Sequence, residues 1–143
     1  MNTEAVINWM GGAQTLDTLP GSELELVELV IRGLPTRVID WLLAGRKLEK
    51  EEIFDIIVPR RTLAHRKQKH QNLSREESER LARVAGVMAM AEETFQNKDK
   101  ALTWMRRPRP SLGGHRPVDL LDTEQGARLV EAVLGRIAQG VYS

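Results

Sequence analysis

The side chains that could do chemistry are few, and the histidines are the first to consider. The chain has three of them, His65, His70 and His115, and it has no cysteine. His65 and His70 are five residues apart in a basic segment, a spacing that does not place both on one face of a helix. Because a zinc site needs three or four well-spaced ligands, the sequence predicts no metal site. The absence of cysteine excludes disulfides and thiol catalysis.

Other catalytic arrangements are also missing from the sequence. Asp119 and Asp122 are a pair of carboxylates, but Asp122 is suited to cap a following helix. Gly113-Gly114 with its basic neighbours could hold an anion, yet the phosphate-binding pattern GxxxxGK followed by Ser or Thr is absent. No serine has a base in a recognisable arrangement. We therefore predict a protein without catalytic residues or cofactor, which acts by binding.

Composition predicts a cytoplasmic protein. A chain of 143 residues, 41% of them hydrophobic, suffices for one or two small domains. No apolar run approaches the ~20 residues of a membrane span, and the first residues do not form a secretory signal. We expect no contact with a membrane.

The elements that position the binding residues are predicted to be helices, which makes the fold all-α. Apolar residues recur three and four apart from residue 22 onward, and no alternating strand pattern is visible. The stripes include Leu24, Val27, Val30 and Ile31 in an early helix and Leu129, Val130, Val133, Leu134 and Ile137 in the last. We predict a flexible N-terminal arm (1–20), a helix-turn-helix domain (21–72) and a second helical domain (73–143). A capping box, Ser74 with Glu77, begins a long helix between the two domains.

Residues 49–69 are predicted to form the helix-turn-helix. A short amphipathic helix (49–57) ends at Val58-Pro59, and a basic helix follows. Residues 59–75 contain six Lys or Arg, two His and no acid, which suits contact with a phosphate backbone. Leu63 is the clear apolar anchor of this second helix. The alternative is a solvated basic helix at the protein surface.

The outward face of the basic helix has the chemistry to read DNA. Arg61 and Gln68 lie opposite Leu63 on a helical wheel and can pair with guanine and adenine edges, respectively. Other residues are better placed for phosphates, which position the protein without specifying sequence. The predicted DNA-binding set is Arg60, Arg61, Thr62, His65, Arg66, Gln68 and Lys69.

The end of the chain carries a more specific motif. Its residues are Trp104, Pro108, Leu112, Gly113, Gly114, Pro117, Leu120, Leu121, Gly126 and Gly140, in this order. The motif resembles the toxin-binding domain of the Xre/MbcA/ParS antitoxins, which partner RES-domain toxins that degrade NAD. The resemblance extends over about residues 48 to 143. One departure is Glu49, where the family often has Ser; loss of that cap would weaken the helix by about 1 kcal/mol.

The resemblance implies that residues 74–143 bind a RES toxin and that the chain end lies near the toxin's NAD pocket. The tail of Gly140, Val141, Tyr142 and Ser143 offers a hinge, an apolar residue, an aromatic ring and a carboxylate that could occlude this pocket. The loop 106–117 is a second candidate contact, through Arg109, Leu112 and Arg116. Two alternatives stay open: the tail is a frayed surface segment, and Leu112 and the glycines only close the domain's own core.

The favoured function is that of an antitoxin. It would block the active site of a RES toxin and bind operator DNA to repress its own operon. Reading of paired half-sites would require a dimer or higher assembly, and we predict a homodimer within a larger toxin–antitoxin complex. Two alternatives remain: a stand-alone transcription regulator whose C-terminal domain serves self-association, and an interaction scaffold without DNA binding.

Overall fold

The computed structural model describes residues 2–140, and within this range the chain is helical and contains no β-strand. The prediction of an all-α fold is confirmed. The chain divides into two compact units, Met1–Ala82 and Arg83–Ser143, and the division falls inside one long helix.

Eight α-helices follow one another along the described part of the chain. They are α1 (Thr3–Trp9), α2 (Glu23–Arg32), α3 (Arg37–Ala44), α4 (Lys50–Glu52), α5 (Arg60–Gln68), α6 (Arg75–Phe95), α7 (Lys98–Met105) and α8 (Glu124–Ala138). Helix α4 continues directly as a π-helical turn over Ile53–Ile57. Short 3₁₀ turns occur at Gly12–Gln14, Pro110–Leu112 and Pro117–Leu120.

The N-terminal segment is a docked helix, which corrects the prediction of a flexible arm over residues 1–20. Asn2 caps α1, since its side-chain oxygen accepts the Ala5 N–H at 3.1 Å. Val6 and Met10 are 1% and 0% exposed. The Thr15 hydroxyl donates to the Met10 carbonyl at 2.7 Å. Burial of these apolar side chains holds the segment against the rest of the first unit.

Helix α2 buries a face other than the one the predicted stripe implies. Leu26 and Val30 are buried, whereas Leu24, Val27 and Ile31 are 67%, 48% and 45% exposed. Apolar residues occur around most of this helix, so their spacing alone did not identify the face that meets the core.

The first turns of α6 belong to the first unit, so the domain boundary predicted after residue 72 is too early. The Leu73 N–H donates to the Leu34 carbonyl at 2.9 Å, and the Leu34 N–H donates to the buried Ser78 hydroxyl at 2.8 Å. Gly33 has a φ of +104°, and a Cβ there would lie 2.4 Å from the Leu73 carbonyl oxygen. These contacts join the turn between α2 and α3 to α6.

In the second unit, α8 packs against the 3₁₀ turns Pro110–Leu112 and Pro117–Leu120. Helix α7 packs against the second of these turns. Thr123 caps α8, because its hydroxyl accepts the Gly126 N–H at 3.0 Å. The cap of α8 is therefore Thr123 and not Asp122, which the sequence had suggested for this role. A Cβ at Gly126 would lie 2.0 Å from the Leu120 carbonyl oxygen, so the approach of α8 to the preceding turn requires glycine.

The buried side of α8 follows the predicted stripe only in part. Val130, Val133 and Leu134 are at most 2% exposed, but Leu129 is 51% exposed. Leu129 therefore lies on the surface of the second unit, whereas the predicted stripe had placed it on the buried side of the helix.

Candidate nucleic-acid interface and partner-binding unit

Helix α4 begins with a stabilised first turn, despite Glu49 at its start. The Glu52 carboxylate accepts the Glu49 N–H at 2.8 Å, and Glu52 is only 4% exposed. Acidic side chains in a first turn also interact favourably with the helix dipole. The weak helix start expected from the absence of Ser is therefore compensated by Glu52.

A π-helical turn and one extended residue form the break between α4 and α5. The Val58 N–H donates to the Ile53 carbonyl, five residues earlier, at 3.0 Å. Val58 then adopts extended angles, φ −150° and ψ 129°. Pro59 follows, and its carbonyl accepts the Leu63 N–H at 2.9 Å, which begins α5. The sequence predicted the break correctly but gave no sign of the π turn.

Helix α5 is anchored by Leu63, as predicted, and shows its polar residues to solvent. Leu63 is 6% exposed. Of the predicted DNA-binding set, Thr62 and Arg66 are half-buried, and the exposed residues are Arg60, Arg61, His65, Gln68 and Lys69. The Arg60 guanidinium lies 5.0 Å from the centre of the Phe54 ring, which places it beside the preceding turn.

Arg66 forms an ion pair inside the first unit. Its Nε and Nη2 atoms each donate to the Glu77 carboxylate at 3.2 Å, and the two side chains are 26% and 7% exposed. Glu77 also accepts the Ser74 N–H at 2.8 Å, and the Ser74 hydroxyl accepts the Glu77 N–H, so the predicted capping box is present. The pair fixes the orientation of α5 on α6. A DNA contact by Arg66 stays a prediction.

The titration of Glu77 reflects this environment. Burial raises the pKa of Glu77, but hydrogen bonds from Arg66 and Ser74 and the Arg66 charge outweigh it, so the pKa lies below its ordinary value of 4.5. A carboxylate whose pKa is lowered by folding stabilises the folded state at pH values above its ordinary pKa. That contribution is lost as the pH falls through the lowered pKa.

We expect Glu77→Gln to lower the free energy of unfolding by about 2 kcal/mol at pH 7, because it removes hydrogen bonds to a charged group. Glu76→Gln, at an exposed neighbouring position, should change stability little. Thermal unfolding followed by circular dichroism checks both. The difference between wild type and Glu77→Gln should shrink as the pH falls below 4.5; a difference that stays constant to pH 3 would contradict the assigned cause.

A second ion pair links α5 to α3. The Lys67 ammonium donates to the Asp40 carboxylate at 2.5 Å, with side chains 42% and 55% exposed. Exposed pairs of this kind contribute little stability, typically below about 1 kcal/mol. Lys67 therefore remains accessible to a phosphate group at small cost.

In the second unit, Arg109 builds the loop that precedes α8. Its Nε and Nη2 atoms donate to the Trp104 carbonyl at 3.3 and 3.2 Å, and its guanidinium lies 5.2 Å from the centre of the Trp104 ring. Burial, together with the Arg107 charge, lowers the pKa of Arg109. Trp104 is 7% exposed, so Arg109 stacks on a core residue and holds the loop to α7.

Leu112 and Arg116, the other predicted toxin contacts of the loop, are also engaged within the unit. Leu112 is 7% exposed and packs as core. Arg116 donates to both oxygens of Asp119 at 2.9 Å. The bond from Arg116 lowers the pKa of Asp119, although burial opposes it. These contacts favour the alternative in which the loop closes its own domain, and they leave a toxin contact through exposed atoms of Arg116 as a prediction.

The tail is described only as far as Gly140, which is exposed and has a φ of +82°. This left-handed conformation favours glycine. Val141, Tyr142 and Ser143 lie outside the described residues.

Two surface features of the second unit were missed by the sequence analysis. Leu129 is exposed on α8. A shallow groove beside α7 is lined by Asp99, Leu102, Thr103, Arg106 and Arg107. The only sequence signal for the groove is the pair of basic residues, Arg106 and Arg107, that follows α7. The only sequence signal for the exposure of Leu129 is its position at the margin of the apolar stripe.

Within residues 2–140, no three His, Asp or Glu side chains are grouped so that they could hold a metal ion. No helix in the same range is long and apolar enough to cross a membrane.

A helix-turn-helix unit with an exposed basic helix, joined to a second helical unit, defines a DNA-binding protein with a partner domain. Comparisons with known proteins agree. The Antitoxin Xre-like helix-turn-helix domain matches residues 25–86. The Antitoxin Xre/MbcA/ParS C-terminal toxin-binding domain matches residues 90–140.

Curated relatives extend the likeness to most of the chain. An Antitoxin Xre of Yersinia enterocolitica is 38% identical over 120 residues, which are 82% of this chain and 81% of the relative. An Antitoxin Xre of Photorhabdus laumondii is 36% identical over 78% of this chain and 76% of its own length. A Prs ADP-ribosylating antitoxin of a Sphingobium species is 29% identical over 85% of this chain and 83% of its own length. The chain belongs to the Xre/MbcA/ParS-type antitoxins.

Proposed function

We propose that this antitoxin neutralises a RES-domain toxin that consumes NAD, and that it binds operator DNA as a homodimer to repress its own operon in the cytoplasm. It acts by binding and has no catalytic role of its own. The observation that carries the DNA part of the proposal is the exposed, acid-free face of α5, anchored by Leu63 and oriented by the Arg66–Glu77 pair.

The chemistry of the toxin has support from two sides. The resemblance of the C-terminal motif implies a RES toxin that degrades NAD. The name of the Sphingobium relative joins an antitoxin to ADP-ribosylation, a reaction in which NAD supplies the ADP-ribosyl group. Both reactions consume NAD and release nicotinamide, so loss of NAD is the common signal to measure. NAD that is radiolabelled in its ADP-ribosyl group distinguishes the two reactions, because only ADP-ribosylation transfers the label to protein.

Toxin binding is assigned to the second unit, which carries the matched toxin-binding domain. Its accessible contact groups are Leu129 on α8 and the basic rim at Arg106 and Arg107. Arginine is enriched at protein interfaces, and Leu129 would supply exposed apolar contact area. Arg109 and Leu112 hold the shape of the unit, and we expect their substitution to act through folding.

The DNA-reading role of α5 is tested by Arg61→Ala. An arginine that contacts guanine O6 and N7 contributes about 1–3 kcal/mol of discrimination. We therefore expect the variant to lose about 10- to 100-fold in selectivity for operator over unrelated DNA of equal length. Fluorescence anisotropy with DNA from upstream of the operon, against a scrambled duplex, measures this ratio.

Lys67→Ala is the matched control, because a phosphate contact positions the protein without specifying sequence. It should weaken binding to both duplexes equally and reduce the salt dependence of binding. Equal loss of selectivity in the two variants would show that Arg61 reads no base.

A further inference from the structure

Exposed apolar side chains are concentrated at one place in the first unit. Among the described residues, the large hydrophobic side chains that are exposed are Leu19, Leu24, Val27, Ile31 and Leu129. All but the last lie between residues 19 and 31. Leu24, Val27 and Ile31 are three and four residues apart, so they share one face of α2. We call these three residues the α2 stripe.

The surroundings of the α2 stripe disfavour the two partners already assigned. Three acidic residues, Glu23, Glu25 and Glu28, lie on the same short helix, and their charge opposes the phosphate backbone of DNA. The matched toxin-binding domain covers residues 90–140, which do not include α2. An apolar stripe of this kind on a surface helix marks a contact with another protein.

The opposite charges at the two ends of α2 favour an antiparallel over a parallel pair of copies, although Glu28, beside the midpoint, has no opposite charge to meet in this pairing. Glu23 and Glu25 lie in its first turn and Arg32 in its last. Two copies of the helix packed antiparallel would place the acidic start of each beside the basic end of the other. A parallel arrangement would place like charges together, which is unfavourable.

The spacing of the α2 stripe is also self-complementary. Val27 lies near the midpoint between Leu24 and Ile31. In an antiparallel pair related by a two-fold axis, Leu24 contacts Ile31 of the second copy, and Val27 contacts its own counterpart. We propose that the α2 stripe is the homodimer seam of this antitoxin. The proposal rests on the proposed reading of paired half-sites, which requires two copies.

The area of the contact indicates how strong the dimer is. Helix α2 is about 15 Å long, and three side chains alone cover less than the ~800 Å² per partner of a standard interface. A neighbouring groove lined in part by Ile7, Ala13 and Leu19 extends the apolar surface. We therefore expect a dimer that dissociates on dilution.

The test places like or opposite charges at Val27, which contacts its own counterpart in the second copy. Val27→Glu and Val27→Lys each place two like charges against one another across the axis, which costs several kcal/mol. We expect each variant alone to dimerise at least about 100-fold more weakly than wild type. An equimolar mixture should form a heterodimer, because the two charges are then opposite. Analytical ultracentrifugation of the full chain, without DNA or toxin, compares the wild type, each of the two variants and their mixture.

One control variant and one further mixture make the result decisive. Leu129→Glu, at an exposed leucine of the second unit, should dimerise as wild type does. Leu24→Glu and Ile31→Lys each place a charge against an apolar residue and should weaken the dimer alone, whereas their mixture pairs the two charges at one outer contact and should dimerise better than either. Circular dichroism checks that every variant is folded. A monomeric wild type, Val27 variants that dimerise normally, or a mixture that stays monomeric would each overturn the proposal. A monomeric wild type would also remove the homodimer from the proposed function, whereas Val27 variants that dimerise normally would overturn only the α2 seam.

Discussion

Replacing Gly126 with alanine should abolish toxin neutralisation while leaving DNA binding in place. The added Cβ would lie 2.0 Å from the Leu120 carbonyl oxygen and 3.0 Å from the Thr123 hydroxyl that caps α8. The nearest atom is backbone, so α8 must move away from the preceding turn. Overpacking of this kind costs about 1–3 kcal/mol and occasionally more. The toxin-binding unit should lose its shape, whereas the first unit, with its own core, should remain folded.

Gly135→Ala is the matched control for this prediction. It lies in the same helix, and an added Cβ there meets nothing within 4 Å. Alanine is favoured over glycine in a helix by about 1 kcal/mol, so this variant should be slightly stabilised. Growth and NAD in cells that express toxin with each variant measure neutralisation, and operator binding is measured separately. Full protection by Gly126→Ala would show that the packing of α8 on the turn is not needed for toxin binding.

Removal of residues 141–143 should restore NAD consumption by the toxin without releasing the toxin. We propose that the body of the second unit binds the toxin and that residues 141–143 occlude its active site, as the resemblance implies. Tyr142 is the residue expected to matter most, because its aromatic ring suits a slot that accepts a flat base. Tyr142→Ala should therefore reproduce much of the effect of the deletion.

The measurement combines affinity co-purification of the complex with nicotinamide release by the purified complex. Ser143→Ala, which removes only a hydroxyl to which no role is assigned, is the control and should inhibit nearly as well as the full chain. If the chain without 141–143 co-purifies with the toxin and still inhibits it fully, the blockade must come from the body of the second unit.

Much of the helical architecture was predictable from sequence because its signals are local. The break at Val58-Pro59, the anchoring of α5 by Leu63 and the Ser74–Glu77 capping box each depend on residues close together in the chain, and the structure contains all three. The π-helical turn over Ile53–Ile57 was not predictable, because one extra residue in a helix leaves no periodic pattern.

The features missed by sequence are those that depend on distant partners. The Arg66–Glu77 pair joins residues on two helices, and Glu77 was recognised only for its local capping role. Helix α2 shows the same limit. Its apolar residues predicted a helix correctly, but only the packed unit shows that Leu24 and Ile31 lie on the surface.

The toxin-contact residues illustrate a further limit. Arg109 and Arg116 are typical of an interface rim by residue type, yet they bond within the second unit, to Trp104 of α7 and to Asp119 of the following 3₁₀ turn. Residue type and motif position predicted a contact segment within the matched toxin-binding domain. They could not separate residues that shape a binding surface from residues that touch a partner.

The central claim is tested most directly by co-expression of this chain with a RES-domain toxin encoded beside it, with cellular NAD and co-purification as readouts. The proposal predicts stable NAD and a co-purifying toxin when both are present, and collapse of NAD when this chain is omitted. A toxin gene that leaves NAD unchanged when expressed alone, or a toxin that depletes NAD equally with and without this chain, would contradict the claim.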